Sequence, residues 1–346
     1  MLTTREDVAT TRNSKEEHMR RMLAPILGLV LLAAVPAAAQ TTTPVTVLLN
    51  FYANNEHAPF AYGVAKGIYA EEGIALTIKE GSGSGAAVNA IIGDSARFGY
   101  ADAGSMVRAV TKGAPLKMIA NYVQTSPQAI IFFADKGFKS IKDLAGKKVS
   151  FTAGDATHQN WPALLKANGL DRSQVQEVLL ATAAKQSAVM TGVVDAMAGY
   201  YTTQAGAIEL ETQRKVGVLR YADFGINAIT LGLFINAKYA EDRSLNCRMV
   251  RATTRAWLAA GKDPDGAVDA LHELFPNVNK GAKALTKAQW LETYRLLHTR
   301  NSQGKAPGWM AKEDWEGLLK LLTEQAGMER ARPAGDYYTD EFFDCK

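Results

Sequence analysis

The reading of this chain turns on Val45–Gly85, VTVLLNFYANNEHAPFAYGVAKGIYAEEGIALTIKEGSGSG. Its apolar run Val45–Leu49 is short enough for a strand and too short for most helices. A polar segment bearing aromatics follows, Asn50–His57, and then a helical pattern with apolar residues at Phe60, Val64, Ala65 and Ile68 that closes at Gly67 or Gly73. A second short strand, Ile74–Ile78, runs into a Gly/Ser loop that opens another helix at Ala86–Ile92. Two successive strand–loop–helix units predict a parallel α/β sheet, and such sheets hold ligands beyond the carboxyl ends of their strands. Both loops occupy that position.

Upstream, Leu23–Val35 is an apolar run preceded by Arg20-Arg21 and followed by Ala37-Ala38-Ala39, a small-x-small pattern. A spanning helix needs ~20 apolar residues. The run therefore reads as a secretory signal cut after Ala39, with translation beginning at Met19 or Met22, and the mature protein as exported to the periplasm. Gln40 rather than Cys follows the cut, so no lipid anchor is expected. Removing residues 1–39 takes away five basic and four acidic groups, lowering the net charge from +4 to +3. That balance favours neither a nucleic acid nor a membrane surface as partner. Two cysteines remain, Cys247 and Cys345. An even number in an oxidising compartment predicts a disulfide tying the aromatic C-terminal tail to the helix near Arg248–Ala260.

Strand and helix patterns alternate as far as about Ile235. The strand runs are Val45–Leu49, Ile74–Ile78, Phe98–Tyr100, Leu116–Tyr122, Ala129–Phe133, Lys148–Phe151, Val175–Leu179, Asp195–Ala198, Val216–Leu219 and Ile229–Ile235. Helical patterns between them include Gly104–Thr111, Trp161–Asn168, Ala184–Thr191 and Ala205–Gln213. Beyond Ala237 the pattern is helical only. This α/β layering has too many strands for one sheet of ordinary size, so two lobes are expected. The candidate crossings are near Gln124–Gln128 and Asn227–Thr230, where strands meet no helical spacer. Lobe 1 then comprises residues 42–127 and 229–346, and lobe 2 residues 128–228.

Asn50-Phe51-x-Ala53-Asn54-x-x-His57, Gly67-Ile68-Tyr69-x-x-Glu72-Gly73 and Ser140-Ile141-Lys142-Asp143-Leu144-Ala145-Gly146-Lys147-Lys148-Val149 together resemble the solute-binding proteins of nitrate/sulfonate/taurine-type ABC importers. The resemblance is nearest to their thiamine-pyrimidine-precursor branch and covers about Val45–Ile235. Asn50-Phe51 replaces the family's Asp-Trp, and Ala53 replaces its Pro. In Gly199-Tyr200-Tyr201-Thr202-Thr203-Gln204, a glutamine stands where that branch carries an acid. The resemblance implies a two-lobed α/β periplasmic binding-protein fold (type II) with two hinge crossings and a helical C-terminal portion. It also implies a monomer that captures a small ligand by lobe closure and delivers it to a permease and an ATPase subunit, with no cofactor and no catalysis.

Capture between lobes needs a flat apolar wall and a few oriented polar groups. Phe51 and Tyr52 follow the first strand, and Tyr200 and Tyr201 follow the strand of the other lobe, so paired rings would suit a planar ligand. His57 lies near the start of the first helix and offers one hydrogen bond to a ligand or to its own loop. Ser82, Gly83 and Ser84 precede a helix and present free backbone N–H groups to an oxygen. Asp155 and Thr157 occupy the equivalent place in lobe 2 and are also plausible caps. Asp102 is either a polar contact or the cap of the next helix, and Gln128 and Asn227 lie at the crossings within reach of a cleft. His158 is a weaker candidate, and Glu71-Glu72 reads as solvated. No Gly-x-Ser-x-Gly, His-Glu-x-x-His or Cys-x-x-Cys is present, and no metal ligand set is expected. The expected ligand is a heteroaromatic such as a thiamine pyrimidine precursor. The alternatives are a sulfonate or carboxylate ligand, a sensor module for a membrane receptor, and a relative of the pyrimidine synthase enzymes.

Overall fold

Strands β1 (Thr43–Leu48), β2 (Ile74–Lys79), β3 (Phe98–Asp102) and β4 (Leu116–Asn121) lay down the first sheet in the computed structural model, which describes residues 42–345. β1 pairs parallel with both β2 and β3. The chain then leaves for a second sheet built from β5 (Gln128–Phe133), β6 (Lys148–Phe151), β7 (Gln176–Leu179), β8 (Ala196–Tyr200) and β9 (Val216–Arg220). It returns as β10 (Leu231–Asn236) between β3 and β4, giving the orders β2-β1-β3-β10-β4 and β7-β6-β8-β5-β9. Each of the ten runs read from the sequence overlaps one of these strands, with ends that differ by up to two residues in most. The expected signal segment lies outside the described residues, and none of the described helices is long and apolar enough to cross a membrane.

The sheets are mixed, where the sequence predicted parallel pairing. β10 runs antiparallel to β3 and β4, and β5 runs antiparallel to β8 and β9. The cause is the crossing itself. A parallel neighbour requires a crossover connection, usually a helix. β10 and β5 are reached through short extended segments, so each enters its sheet from the end at which its neighbours finish. The two crossing segments also pair with one another: Tyr122 and Val123 donate their N–H groups to the Leu231 carbonyl at 2.8 and 3.0 Å, and Thr230 donates to Val123 at 2.9 Å. β5 and β10 are buried along their whole length, as the apolar run in each dictates.

Helices cover the sheets. In the first lobe these are α1 (Ala58–Ala65), α2 (Ile68–Glu71), α3 (Ser84–Ile92) and α4 (Ala103–Thr111). In the second they are α5 (Ala156–Ala167), α6 (Thr182–Met190) and α7 (Gly206–Thr212). The chain after β10 supplies α8 (Arg243–Lys262), α9 (Pro264–Leu274), α10 (Lys283–Tyr294) and α11 (Lys312–Glu324). The pattern expected from Phe60 to Ile68 breaks into α1 and α2 because Gly67 takes φ +72°, which only glycine adopts without strain. α5 begins five residues before Trp161, where the sequence pattern placed its start. Asp155 caps it by accepting the His158 N–H at 2.7 Å, and Pro162 inside the helix masks the pattern. Glu72, expected in solvent, is partly covered and held by Arg251 and Arg255, whose hydrogen bonds and charges lower its carboxyl below the usual range.

The C-terminal tail packs onto the first lobe. Met118 donates its N–H to the Tyr337 carbonyl at 2.9 Å and accepts from Thr339 at 3.0 Å, so the tail covers the exposed edge of β4. Tyr337 and Phe342 are buried, and Cys345 is joined to Cys247 on α8 with 6.0 Å between the Cα atoms. The crosslink closes a loop of sequence separation 98, for which the loss of unfolded-state entropy stabilises by roughly 2–4 kcal/mol. Cys345→Ser should therefore lower the unfolding free energy read from urea titrations by an amount of that order. Thiol labelling of the unfolded but unreduced wild-type protein should find no free thiol; two reactive thiols would contradict the crosslink.

Candidate ligand-binding site

Where the carboxyl ends of the two sheets face each other, a cleft encloses about 430 Å³ of atom-free space. Lobe 1 contributes the segment after β1 (Asn50, Phe51, Asn54, Glu56) and the start of α3 (Gly83, Ser84). Lobe 2 contributes Asp155, Ala156 and Thr157 at the start of α5, Lys185 of α6, and Gly199, Tyr200, Thr203 and Gln204 around the end of β8. Two helix N-termini, of α3 and α5, thus meet in one cleft, each adding partial positive charge.

The carboxylate of Glu56 is fixed by a short relay. His57 is fully buried, and its Nδ1 accepts the Asn54 backbone N–H at 3.2 Å. Its proton therefore sits on Nε2, which donates to Asn50 Oδ1 at 2.8 Å. Asn50 Nδ2 in turn donates to Glu56 Oε1 at 2.8 Å. His57 thus lies beneath the cleft and orients its wall, a different place from the ligand contact considered for it. Neither Asn50 nor Glu56 was singled out in the sequence, since nothing local marks an acid inside a 3₁₀ turn as buried.

Across the cleft, Lys185 is buried and ion-paired with Asp155 at 2.9 Å. Asp155 also caps α5 and accepts the Thr157 hydroxyl at 2.7 Å. The pair is formally neutral, which is the condition for burying either charge. Lys185 was missed because its partner is thirty residues away. Tyr200 faces the cleft, and burial, followed by the charges of Asp102, Glu56 and Asp155, pushes its phenol well above the ordinary range. It is a hydroxyl donor at physiological pH. The Thr203 hydroxyl is buried without a protein partner among the described residues.

The other expected site residues fall elsewhere. Tyr201 opens the π-helical turn Tyr201–Ala205 that follows β8, leaves the cleft beside Tyr200 and sits with its ring 5.9 Å from the Arg220 guanidinium. Tyr52 lines a larger neighbouring chamber. Ser82 lies at the rim, where its carbonyl accepts the Thr182 hydroxyl of lobe 2 at 3.1 Å. Asn227 serves the crossing, accepting the Ser126 N–H at 3.4 Å. His158 points to Glu177 at 3.2 Å. Asp102 caps α4 through the Ser105 N–H at 3.1 Å.

Asp102 and Gln128 belong to a buried circuit that joins the lobes. Gln128 Nε2 donates to Asp102 Oδ2 at 3.3 Å, and Asn160 Nδ2 donates to Gln128 Oε1 at 3.1 Å. Arg108 Nη2 donates to Asn160 Oδ1 at 3.3 Å and to the Gln159 carbonyl at 3.0 Å. Nearby the backbones almost touch: a Cβ on Gly85 would stand 2.6 Å from the Gly154 carbonyl oxygen. The lobes are closed on one another.

The architecture is that of a two-lobed solute-binding protein. The chain belongs to the NMT1/THI5-like family, whose model matches residues 54–267. It is 22% identical to the formylaminopyrimidine-binding protein of Halalkalibacterium halodurans over 91% of this chain and 97% of that one. It is 25% identical to the riboflavin-binding protein of Chloroflexus aurantiacus over 90% and 89% of the two chains. Among solved structures, the alkanesulfonate-binding protein of Xanthomonas axonopodis pv. citri bound to MOPS superposes with a TM-score of 0.65 at 14% identity, covering 86% of this chain and 98% of that one.

Burial pushes the Asp102 carboxyl from 3.8 up to about 6. Between those values the folded protein holds a proton that the unfolded chain has released. This group's contribution to stability therefore falls as pH rises from about 4 to about 6, by at most about 3 kcal/mol, and is flat above. Asn caps helices as well as Asp does. Urea titrations of wild type and Asp102→Asn at several pH values should differ by a gap that grows in favour of the variant across this window; parallel curves would clear Asp102 as the source.

Proposed function

We propose that this chain is the ligand-capturing component of an ABC importer, and that its ligand is a small flat nitrogen heterocycle bearing an amino group. The observation that carries this reading is the Glu56 carboxylate, only 2% exposed and held towards the cleft by the His57–Asn50 relay. Its nearest basic neighbour, His57, has Nε2 3.3 Å from Glu56 Oε1 but closer, at 2.8 Å, to Asn50 Oδ1, to which it donates. A buried carboxylate needs donors or a cation. An exocyclic amine beside a ring nitrogen supplies them, while Phe51 and Tyr200, one from each lobe, offer the flat faces between which such a ring stacks. Gln204 stands where the pyrimidine-precursor branch carries its acid, and Glu56 takes over that charge from the opposite lobe. The name of the Halalkalibacterium relative supports the same ligand class.

An anionic ligand, favoured by the helix N-termini and by the alkanesulfonate-binding neighbour, is the second reading. Lys185 would be its counter-ion, but Asp155 already neutralises that ammonium and Glu56 adds a repulsive charge. Closure is the mechanism: a ligand touching both lobes binds the closed form better than the open one and shifts the population towards it. The closed form is then what a permease and its ATPase receive.

Thermal or urea stabilisation of the purified protein tests the two classes directly. At a hundredfold excess over Kd, 4-amino-5-hydroxymethyl-2-methylpyrimidine should stabilise by about 2.7 kcal/mol, and taurine should not. Glu56→Gln should weaken the pyrimidine by roughly ten- to a hundredfold, as expected for a hydrogen bond to a charged group worth ~1.5–3 kcal/mol. Stabilisation by taurine alone would hand the site to the anionic reading, and no response to either would remove the ligand assignment.

A further inference from the structure

A second chamber opens beside the cleft. It spans about 1440 Å³ of atom-free space that is open to solvent, against about 430 Å³ for the inner one, and the two share Asn54, Thr203 and Gln204 in their linings. Phe51 lines only the inner chamber and Tyr52 only the outer one. These adjacent rings lie 4.0 Å apart between centroids, tilted by 41°. One short loop therefore sets an aromatic face in each chamber.

The outer chamber is apolar on two sides. Leu210 of α7 and Leu274 at the end of α9, from opposite lobes, are 43% and 47% exposed, and Phe275 follows. Exposed leucines facing a shared hollow are an unsatisfied apolar surface. The rim is built with strain: Asn279 and Lys280 both take left-handed backbone, at φ +46° and +51°, which costs free energy at each residue and persists only where the surroundings fix it. Asn279 Nδ2 donates to Gln289 Oε1 at 2.6 Å, and Gln289 in turn donates to the carbonyl of Thr203 on the shared wall. Lys280 reaches across the lobes to Glu211 at 3.0 Å. The charged groups lining the chamber are Glu80, Glu211 and Lys280, a formal charge of −1, beside the neutral phenol of Tyr52.

We infer that the site takes a two-part ligand: a heterocyclic head in the inner chamber and a second ring, uncharged or cationic, in the outer one against Tyr52, Leu210 and Leu274. A single ring leaves the outer leucines wet, whereas an appended ring covers them and meets a chamber whose net charge repels anions. This rests on the ring-binding reading of the inner chamber.

Titration calorimetry on the protein separates the two claims, with 4-amino-5-hydroxymethyl-2-methylpyrimidine as the head alone, thiamine as the same head joined to a cationic ring, and thiamine diphosphate as its anionic counterpart. Thiamine should bind at least tenfold tighter than the pyrimidine, and the diphosphate at least tenfold weaker than thiamine. Leu210→Trp fills the outer chamber from an exposed helix position; it should bring thiamine down to the level of the pyrimidine while changing pyrimidine binding less than twofold. Leu210→Ala should weaken thiamine alone by a smaller factor and serves should the larger residue perturb folding. Equal binding of head and thiamine, or thiamine binding untouched by both Leu210 variants, overturns the two-part ligand and leaves the ring-binding reading standing. Loss of binding of every probe overturns both.

Discussion

Everything in this molecule that requires two lobes depends on the buried polar circuit Asp102–Gln128–Asn160–Arg108. Its members come from the cap of α4, the first residue of β5 and the second turn of α5, so it holds the outgoing crossing, the floor of one lobe and the roof of the other in a single network. None of its groups meets bulk water readily, and an unpaired member would lose its solvation without compensation. The circuit is complete only when the lobes meet. If the lobes part, those hydrogen bonds pass to water. Asp102, raised to about 6 by burial, marks how dry that meeting point is. At the mouth the lobes are joined by the exposed Lys280–Glu211 pair, by Thr182 donating to the Ser82 carbonyl and by Gln289 donating to the Thr203 carbonyl.

The extended crossings explain the topology and the position of the cleft together. Because β5 and β10 enter their sheets from the hinge end, the strands beside them finish there, and their carboxyl-terminal loops face each other across the gap. The helix starts at Ser84 and Ala156 follow such loops. One geometric decision, a connection too short for a helix, therefore brings both helix N-termini and one ring from each lobe, Phe51 and Tyr200, into one space.

Much of this was legible in the chain, because strands and helices are written in short-range patterns. The ten apolar runs, the glycine at position 67 and the absence of strands after Ala237 all depend on neighbours in sequence. The loops that follow β1, β2, β6 and β8 were legible as a place for a ligand. What was illegible depends on distance and register. Tyr200 and Tyr201 look alike in sequence, but the first ends β8 and faces the cleft while the second starts a π-helical turn that leads away from it. Lys185 sits in a stretch of small residues with nothing nearby to pair with, and its burial follows from Asp155 arriving from another loop. His57 resembled a ligand residue because imidazole is versatile; its neighbours Asn50 and Asn54 use up both ring nitrogens. The early start of α5 was hidden by a proline that most helices reject in their interior.

The cleft's charge arrangement has a consequence for the order of events. If Glu56 holds the ligand's donors, the polar anchor belongs to lobe 1, where it is already oriented by residues of the same loop and needs nothing from the other lobe. Lobe 2 presents a pair, Lys185 and Asp155, that satisfies itself, a Gln204 whose Oε1 accepts the Tyr200 N–H, and the Thr203 hydroxyl, which has no partner among the described residues. A ligand would then dock first on the open face of lobe 1 and be covered second, since lobe 2 alone has neither an uncompensated charge nor a complete wall to hold it. The same asymmetry sets the release path. Opening would withdraw the covering lobe without disturbing the relay behind Glu56, so the ligand would leave from a site still shaped for it, and its departure would be governed by the contacts that lobe 2 gives up.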